Sequence, residues 1–410
     1  MLEFDLIVIG GGAAGFMSAI TAKERGVRRV TILEGSSRIL EKVRISGGGR
    51  CNVTNASWIP SEFIGNYPRG GIKLLESFSR FATGDIFDWF EKRGVKLKIE
   101  DDNRVFPISD SSMDIVGCLE RSAKEIDIQI YKKKFVRKII KTSSDLFQVF
   151  ISDDEYLFSK KILISTGGNP SGYKLAGSLG HNIIKPVPSL FSFTCKENFL
   201  KECSGVSVRD IDLKILINEN SFSCKGDLLI THWGFSGPGV LKLSSIAARE
   251  LYGARYKFKL IIQWSKLSYS DLSEKINQLR QFNGKSNLYN TRPLPYLTKR
   301  LWIFLLNKMN IDKDKKWAEI ISKEKEIMIK FLMNDEYQIT NKGPFGDEFV
   351  TSGGVDLSQV SFKTMESFIC KGLYLSGEIL DVDGITGGFN FQHCWTSGWL
   401  AGVAIANSLR

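Results

Sequence analysis

The sequence predicts an α/β fold in which one nucleotide-binding domain is divided by a long insertion. A glycine-rich loop lies between an apolar strand and a helix near the N-terminus. After Pro186 and Pro188 the pattern changes to alternating β-rich segments and then to polar helix, and near residue 350 short strands and glycine loops return. We therefore expect the end of the chain to complete the first domain.

The N-terminal part has the pattern of a β-α-β unit of about 30 residues. Residues 4–9 predict a strand, residues 16–26 a helix that ends at Gly26, and residues 29–34 a second strand. The elements expected next are helical residues 72–93, a helix over 113–125 after Asp110-Ser111-Ser112, a strand pair between roughly 130 and 158, and a strand over 161–166.

The remaining segments set the predicted domain boundaries. Residues 189–264 are β-rich, 266–340 are mostly polar helix, and an apolar helix begins near residue 393. We expect a nucleotide domain over 1–190 and 346–410, a β-rich domain over 191–265 and a helical domain over 266–345.

The composition excludes several classes of protein. The chain has 410 residues, 43% of them hydrophobic and 25% charged, as in an ordinary globular protein. Seven scattered cysteines without a Cys-x-x-Cys pair argue against a disulfide framework, a zinc ribbon and a dithiol redox centre. With three histidines the chain has few histidine ligands for a metal ion, and we expect no metal site.

The sequence also predicts where the protein acts. No apolar run is long enough to span a bilayer, and we expect no membrane partner. Glu3 and Asp5 stand where a signal peptide carries positive charge, so a cytoplasmic protein is expected.

Positive charge is concentrated in the central segment. Residues 191–345 carry 25 Lys and Arg against 16 Asp and Glu, a balance of +9 out of a net charge of +11. Charge alone leaves two interpretations open. One is a solvated, lysine-rich surface, and the other is a module that binds a polyanion such as RNA.

The first glycine loop predicts a dinucleotide site. Gly10, Gly12 and Gly15 match G-x-G-x-x-G between strand and helix, where glycine permits a tight turn and close approach of a pyrophosphate. Glu34 ends the second strand 19 residues after Gly15, where a carboxylate accepts both ribose hydroxyls. This pattern favours FAD or NAD over NADP.

A second glycine loop, KVRISGGGRCNVTN at residues 42–55, favours FAD over NAD. Its glycines offer successive backbone amides without obstruction by side chains, and Lys42, Arg44 and Arg50 flank them. Such a segment suits the pyrophosphate-ribityl-flavin arm of a bound cofactor. The alternative is a solvated linker, but its arginine, cysteine and asparagines are unusual for one.

Five segments together resemble the BaiN/RdsA family of FAD-dependent oxidoreductases, a glutathione-reductase-like group of flavoproteins. They are GGGAAG with Glu34, the second glycine loop, ISTGG at 164–168, LLITHWGFSGPGVL at 228–241, and the C-terminal block TSGGVD…TMES…GLYLSGEILDVDGITGGFNFQ at 351–392. The resemblance implies a split Rossmann-like FAD-binding domain, an inserted β-barrel-like domain and a small helical domain. Residues 266–345 match in general character only.

The resemblance also implies which residues hold the cofactor. The first loop and Glu34 would bind the pyrophosphate and adenosine ribose, the backbone at Val136 the adenine, and the second loop and C-terminal block the ribityl-flavin half. The implied contacts are Gly10, Gly12, Ala13, Ala14, Gly15, Glu34, Gly35, Lys42, Ser46, Gly47, Gly48, Arg50, Cys51, Asn52, Asn55, Val136, Thr166, Gly167, Gly168, Gly377, Glu378, Asp383, Thr386, Gly387, Gly388 and Asn390.

Members of this family are associated with reduction of C=C bonds conjugated to a carbonyl, in steroid enones or in uridine of large-subunit ribosomal RNA. Amine oxidation has also been attributed to relatives. Hydride delivery to the β-carbon leaves an α-carbon that an acid must protonate. Cys51, beside Arg50, is the first candidate for that acid and His232 the second; each has the alternative of a purely structural role.

The central charge favours an RNA substrate, with stacking by Trp233, Phe235 and Trp264 and phosphate contacts from Lys257, Lys259, Lys299, Arg300, Lys315 and Lys316. The structural alternative for these aromatic residues is core packing. No second strand-G-x-G-x-x-G-helix unit occurs, so NAD(P)H is expected to bind transiently as the reductant. The favoured hypothesis is an FAD-dependent uridine reductase. The alternatives are a small-molecule enone reductase or amine oxidase, and a flavin-containing RNA-binding assembly factor without turnover.

Overall fold

A computed structural model describes residues 3–197, 200–344 and 350–410. The chain forms two compact units, Met1–Val187 with Phe349–Arg410, and Pro188–Glu348. Each unit has its own hydrophobic core. The predicted boundary between residues 345 and 346 lies outside the described residues. The predicted division of the insertion at residue 265 stays a prediction, and residues on both sides of it contribute to the second core.

The N-terminal part of the first unit alternates helices and strands. Its helices are α1 Ala13–Glu24, α2 Glu41–Gly49, α3 Pro60–Phe63, α4 Gly71–Phe78, α5 Thr83–Glu91, α6 Ser112–Glu125 and α7 Pro170–Ser178. Its strands are β1 Glu3–Ile9, β2 Val30–Leu33, β3 Thr54–Asn55, β4 Leu97–Ile99, β5 Arg104–Pro107, β6 Gln129–Tyr131, β7 Lys138–Lys141, β8 Phe147–Phe150, β9 Tyr156–Ile164 and β10 Ile183–Ser189, which runs to the unit boundary.

The second unit contains β11 Phe193–Cys195, β12 Ser207–Ile217, β13 Asn220–Ile230, β14 Gly234–Ser236, β15 Phe258–Gln263 and β16 Asp335–Lys342. Its helices are α8 Leu200–Cys203, α9 Pro238–Ile246, α10 Ala248–Gly253, α11 Tyr269–Phe282, α12 Lys299–Lys308 and α13 Ser322–Met333. The C-terminal part of the first unit contributes β17 Val350–Val355, β18 Leu373–Leu375 and α14 Phe389–Ser408.

A seven-stranded sheet forms the centre of the first unit, in the order β6-β2-β1-β9-β8-β7, with β18 also pairing with β9. β6, β2, β1, β9 and β18 are parallel, whereas β7, β8 and β9 form an antiparallel meander. The central strand β2, VTIL, is fully buried, because both faces of such a sheet are covered. C-terminal strand β18 thus completes a sheet that the N-terminus begins.

Helix α14 packs closely against α1. Gly398 makes this approach possible, because a methyl group at its Cα would lie 2.5 Å from the carbonyl oxygen of Ala14. Trp395, on the same helix, is fully buried and donates a hydrogen bond to the Val53 carbonyl oxygen at 2.9 Å. The C-terminal helix is thereby fixed to both glycine-loop regions of the N-terminal half.

The second unit is built on a closed six-stranded barrel, β11-β14-β13-β12-β15-β16. The predicted inserted β-barrel is therefore confirmed. Strand β16 lies in the segment that was predicted to be mostly helix. Its residues alternate between buried and exposed, and Asp335, Tyr337 and Ile339 are the buried ones. Trp264 donates to the buried Asp335 carboxylate at 2.8 Å, and Tyr337 donates to it at 2.6 Å.

Several predicted elements match the structure and others differ in length. The helix expected over 113–125 is α6, capped by the Ser111 hydroxyl, which accepts from the Met113 N–H. The helical residues 72–93 form two helices rather than one, because Ala82 is extended and its N–H donates to Asp85 at 2.7 Å to begin α5. The last helix begins at Phe389, four residues earlier than expected.

Across the described residues, no helix has both the length and the apolar character needed to cross a membrane.

Candidate active site

The candidate site lies where parallel strands of the central sheet end together. In the strand register, Ile9 of β1 is opposite Leu33 of β2 and Ile164 of β9, and Ile164 is opposite Leu375 of β18. The next residues along the chain are Gly10, Glu34, Ser165 and Ser376. Because ligands of such sheets bind outside the carboxyl ends of the strands, these four positions define a binding edge.

The first glycine loop and Glu34 are joined by hydrogen bonds. The Glu34 carboxylate accepts from the Gly11 N–H at 2.8 Å and from the Ser36 N–H at 2.7 Å. At Gly15 a methyl group would lie 2.1 Å from the Gly10 carbonyl oxygen, whereas at Gly12 it would meet nothing within 4 Å. Gly15 is therefore required by the fold, and Gly12 leaves space at the loop surface.

A cavity of about 430 Å³ opens at this edge of the sheet. Twelve of the predicted cofactor contacts line it: Gly10, Gly12, Ala13, Ala14, Glu34, Gly35, Lys42, Val136, Thr166, Gly167, Gly377 and Glu378. Its lining does not include the other predicted contacts, Gly15, Ser46, Gly47, Gly48, Arg50, Cys51, Asn52, Asn55, Gly168, Asp383, Thr386, Gly387, Gly388 and Asn390. The cavity thus collects most of the residues predicted for the pyrophosphate and adenosine half, together with Lys42, Gly377 and Glu378 from the ribityl-flavin half.

An ion pair spans part of this cavity. Lys42 donates to the Glu378 carboxylate at 2.5 Å, and the Thr351 N–H donates to the other oxygen of Glu378 at 2.7 Å. The Lys42 side chain is 54% exposed and that of Glu378 only 13%. Both residues were expected at the cofactor, and the contact joins the second glycine loop region to the C-terminal block.

The second glycine loop has an unusual backbone. Gly47, Gly48 and Gly49 have φ values of 58°, 68° and 85°, and the following Cys51 has a φ of 61°. Successive left-handed residues are readily formed only by glycine, which explains the GGG sequence. The loop turns the chain sharply at the end of α2, and its three glycines are exposed.

The end of this loop pairs with the C-terminal block. In the amide orientation that satisfies its neighbours, the side-chain oxygen of Asn52 accepts a hydrogen bond from the Gly388 N–H at 3.0 Å. The side-chain amide of Asn55 donates to the Gly387 carbonyl oxygen at 3.1 Å. A methyl group at Gly388 would lie 2.3 Å from the Thr54 carbonyl oxygen. The asparagine side chains therefore hold two chain segments together.

Three further predicted contacts belong to the C-terminal block. Asp383 and Asn390 form hydrogen bonds within the protein, and Thr386 lies between them in the sequence. The buried Asp383 carboxylate accepts two hydrogen bonds from the Arg69 guanidinium. Asn390 exchanges hydrogen bonds with both backbone groups of Gly384, at 2.8 and 2.9 Å. Thr386 is half-buried in the same loop. Their predicted roles at the flavin stay predictions.

Cys51 is in a different environment from the one expected. Its side chain is fully buried, and burial raises the pKa of the Cys51 thiol to about 12, opposed by a hydrogen bond with Ser46. The Arg50 guanidinium instead binds Glu100 at 2.6 Å and lies 3.9 Å from the centre of the Phe106 ring. Arg50 therefore does not contribute to the pKa of the thiol. The role of Cys51 as a proton donor stays a prediction.

His232 belongs to the second unit and is exposed. Its ring lies edge-on to Trp233, with 4.4 Å between the ring centres. Its catalytic role stays a prediction.

The predicted RNA contacts also lie in the second unit. Phe235 and Trp264 are fully buried, so the expectation that they stack on a base is wrong; Trp233 is half-buried. Lys259 pairs with Glu336 at 2.8 Å, Lys315 with Glu324 at 2.7 Å, and Arg300 donates to the Ser204 carbonyl oxygen at 2.7 Å. Lys299 lies over the Tyr289 ring, whereas Lys257 and Lys316 are exposed.

Ser376 and Cys394 are among the cavity-lining residues that sequence reasoning missed. Ser376 immediately follows β18, and its buried hydroxyl has no hydrogen-bond partner within the described part of the chain. Cys394 also lines the cavity. The signal for Ser376 was present, because it follows an apolar strand directly, as Gly10 and Glu34 do.

Comparison with known proteins supplies the family. A sequence model of the HI0933-like protein Rossmann domain matches residues 4–404. The chain belongs to this family. Among its relatives, the ribosomal RNA dihydrouridine synthase of Escherichia coli is 30% identical over 414 residues, 97% of each protein. The 3-dehydro-bile acid delta(4,6)-reductase of Clostridium scindens is 29% identical over 418 residues, 97% of this chain and 98% of that protein.

Solved structures agree on the fold of the HI0933-like chain. A 3-ketosteroid-delta4-(5alpha)-dehydrogenase from Rhodococcus jostii superimposes with a TM-score of 0.54 at 13% identity, covering 99% of this chain and 97% of that one. A flavocytochrome c3 fumarate reductase gives a TM-score of 0.51 at 15% identity, covering 99% and 78%. The family and the fold identify the protein as an FAD-dependent oxidoreductase.

The residues at the binding edge fit FAD. The hydroxyls of Thr166 and Ser376 are buried and lack partners among the described residues, so a ligand in the cavity would satisfy both. The open space at Gly12 and the N-terminus of α1 suit a pyrophosphate, and the Glu34 carboxylate suits ribose hydroxyls. The same edge therefore offers both polar partners and room for the cofactor.

Two glycine substitutions should separate folding from cofactor binding. Gly15→Ala should unfold the first unit at lower urea concentration, because its methyl group clashes with backbone. Gly12→Ala should keep the stability of the apoprotein but weaken FAD binding by at least about tenfold, because its methyl group occupies the surface that the pyrophosphate approaches. Urea unfolding and flavin fluorescence titration measure the two effects. Equal FAD affinity of Gly12→Ala and wild type would contradict this assignment.

A buried histidine beside the cavity should make stability depend on pH. His393 donates to the Gly377 carbonyl oxygen at 3.2 Å, and burial lowers the pKa of His393 from 6.5 to about 4. The unfolded chain therefore takes up a proton first as the pH falls. The contribution of the neutral His393 ring to the free energy of unfolding is complete above pH 6.5. It declines toward pH 4, by up to about 1.4 kcal/mol per pH unit.

The measurement compares urea unfolding of wild type and His393→Gln between pH 7.5 and 4.5. Because other groups also titrate, the difference between the two proteins isolates His393. The stability advantage of wild type should shrink as the pH falls. A constant difference would show that His393 titrates normally.

Proposed function

We propose that this protein reduces the C5=C6 bond of uridine in large-subunit ribosomal RNA to give dihydrouridine. It would act in the cytosol with NAD(P)H as a transient reductant. The similarity that carries this proposal is the end-to-end match to the Escherichia coli ribosomal RNA dihydrouridine synthase. A second ribosomal RNA dihydrouridine synthase, from Haemophilus influenzae, is 28% identical over 98% of each protein. The +9 balance of residues 191–345 supports an anionic substrate.

The first unit would hold the cofactor by residues at the common strand edge. Glu34 would bind the adenosine ribose, and the N-terminus of α1 would face the pyrophosphate, where its partial positive charge stabilises an anion. The bound FAD supplies hydride transfer. The hydroxyls of Thr166 and Ser376 would donate to cofactor oxygens, which would remove the cost of leaving them unpaired.

Lys42 and Glu378 would orient the ribityl region. The Glu378 carboxylate is already bound by Lys42 and by the Thr351 N–H, so its orientation is fixed before a ligand hydroxyl donates to it. The largely buried carboxylate is a stronger acceptor than one in water. Lys42 would hold the Glu378 carboxylate in place while contributing positive charge to the cavity.

Cys51 is a proton donor with restricted access to water. The thiol is protonated at neutral pH, as a donor to C5 must be, and burial makes it a weaker acid than an exposed thiol by raising its pKa. Burial also slows its reprotonation by solvent, so each turnover would need a path for a new proton. His232, exposed on the second unit, is the alternative donor.

A second candidate function is reduction of a small-molecule enone. The bile-acid reductase, at 29% identity, is as similar to this chain as the two ribosomal RNA enzymes, at 30% and 28%, and its reaction also reduces a carbonyl-conjugated C=C bond. The excess positive charge of the insertion favours RNA, because binding a steroid does not require it. Parallel assays of the purified flavoprotein with ribosomal RNA and a 3-oxo-4,6-diene steroid distinguish the two.

The decisive experiment is deletion of the gene followed by mass spectrometry of nucleosides from large-subunit ribosomal RNA. Dihydrouridine should be present in the parent, absent in the deletion strain, and restored by the wild-type gene. A restored copy carrying Gly12→Ala should recover little of the modification. Dihydrouridine that persists unchanged after deletion would overturn the proposed function.

Replacement of Cys51 tests the proton donor. Cys51→Ala should keep FAD and be reduced by NAD(P)H at the wild-type rate, but product formation should slow by about 100-fold because the acid is lost. Cys51→Ser, which keeps a similar volume and a hydrogen-bonding group, is the matched control for packing. If both variants turn over at the wild-type rate, the proton comes from another residue.

A further inference from the structure

A polar groove lies across one end of the barrel in the second unit. It is formed where β12, β15, β16 and β11 are neighbours, with Leu216 opposite Lys259 and Lys259 opposite Gln338 in the register. Thr194 of β11 is opposite Asn341 of β16 at the same end. The groove encloses about 800 Å³, so it is large enough for more than a single ion.

The chemistry of this groove is basic. Lys196, Lys257 and Lys259 line it, together with the side-chain amides of Asn218, Gln338 and Asn341. Among the described residues that line the groove there is no Asp or Glu. Lys259 is 2.8 Å from Glu336 just outside the lining, whereas Lys196 and Lys257 are exposed. Ammonium and amide N–H groups together are donors suited to phosphate oxygens.

At the other end of the same strands, acidic side chains lie beside the lysines. There Asp210 lies 3.4 Å from Lys225 and 3.5 Å from Lys266, and the Asp210 N–H donates to Asp227. Acidic and basic side chains are paired with each other at that end. At the groove, by contrast, Lys196 and Lys257 are exposed, so their charge is available to an anion.

We infer that the barrel-end groove formed by Lys196, Lys257 and Lys259 binds the phosphate backbone of RNA. The inference rests on the proposed function and names the surface that recruits its substrate. Contacts to phosphate supply affinity without sequence preference, so selection of the target uridine would come from other residues. Two or three ion contacts of this kind give binding that weakens steeply with salt.

The test uses the full-length FAD-loaded protein and a fluorescein-labelled transcript of large-subunit ribosomal RNA. The groove variant is Lys196→Gln with Lys257→Gln and Lys259→Gln. The matched control removes the same charge from exposed positions elsewhere in the second unit, by Lys275→Gln with Lys285→Gln and Lys323→Gln. Thermal unfolding and FAD content establish that both variants fold.

At low salt the groove variant should bind the transcript at least about tenfold more weakly than wild type, and the control within about twofold. The slope of log affinity against log salt should fall by about two to three for the groove variant alone. Equal losses in the two variants would overturn the inference, because binding would then follow net charge rather than the groove.

Dihydrouridine in cells separates this inference from the proposed function. If deletion of the gene leaves ribosomal RNA unchanged while the groove variant alone loses RNA binding, the proposed function fails and the groove stands. If deletion removes dihydrouridine but the groove variant binds the transcript and restores the modification as wild type does, the groove fails and the proposed function stands.

Discussion

The parallel register of β1, β2, β9 and β18 is the constraint on which the candidate site depends. Hydrogen bonding between these strands places Ile9, Leu33, Ile164 and Leu375 level with one another. Each strand must then end at the same edge, and each is followed by a residue that contributes to one cavity. A shift of one strand by a single residue would turn each of its side chains to the opposite face of the sheet and disrupt its packing, so the buried sheet holds the register firmly.

This constraint explains how distant parts of the chain form one cofactor site. Strand β18 and helix α14 follow an insertion of more than 150 residues, yet β18 pairs with β9 and α14 packs against α1. Lys42 with Glu378 and Asn52 with Gly388 then join the second glycine loop to the C-terminal block. The insertion can form its own barrel and core because its two ends join neighbouring elements, β10 and β17, which pair in a two-stranded sheet.

The second unit combines burial with a charged surface. Its aromatic residues serve the core, as Trp264 does by donating to buried Asp335, while lysines occupy the exposed barrel end. The Lys and Arg side chains of this unit therefore fall into two groups. Some are paired with acidic side chains within the fold, and others remain available to an anion. Lys315 with Glu324 is an example of the first kind, and Lys257 of the second.

The sequence alone determined the local features whose signals are short-range. The strand before Gly10, the spacing to Glu34, the boundaries of α6 and the inserted β-rich segment all follow from residue patterns, because period and turn chemistry act over a few residues. Only the tertiary structure decided the environments of Cys51, Trp264 and Ser376. Their burial and hydrogen bonds depend on partners far away in the chain. Long-range packing raised the thiol pKa, placed the indole in a core and brought a serine to the cavity, because each of these effects depends on contacts between segments far apart in the chain.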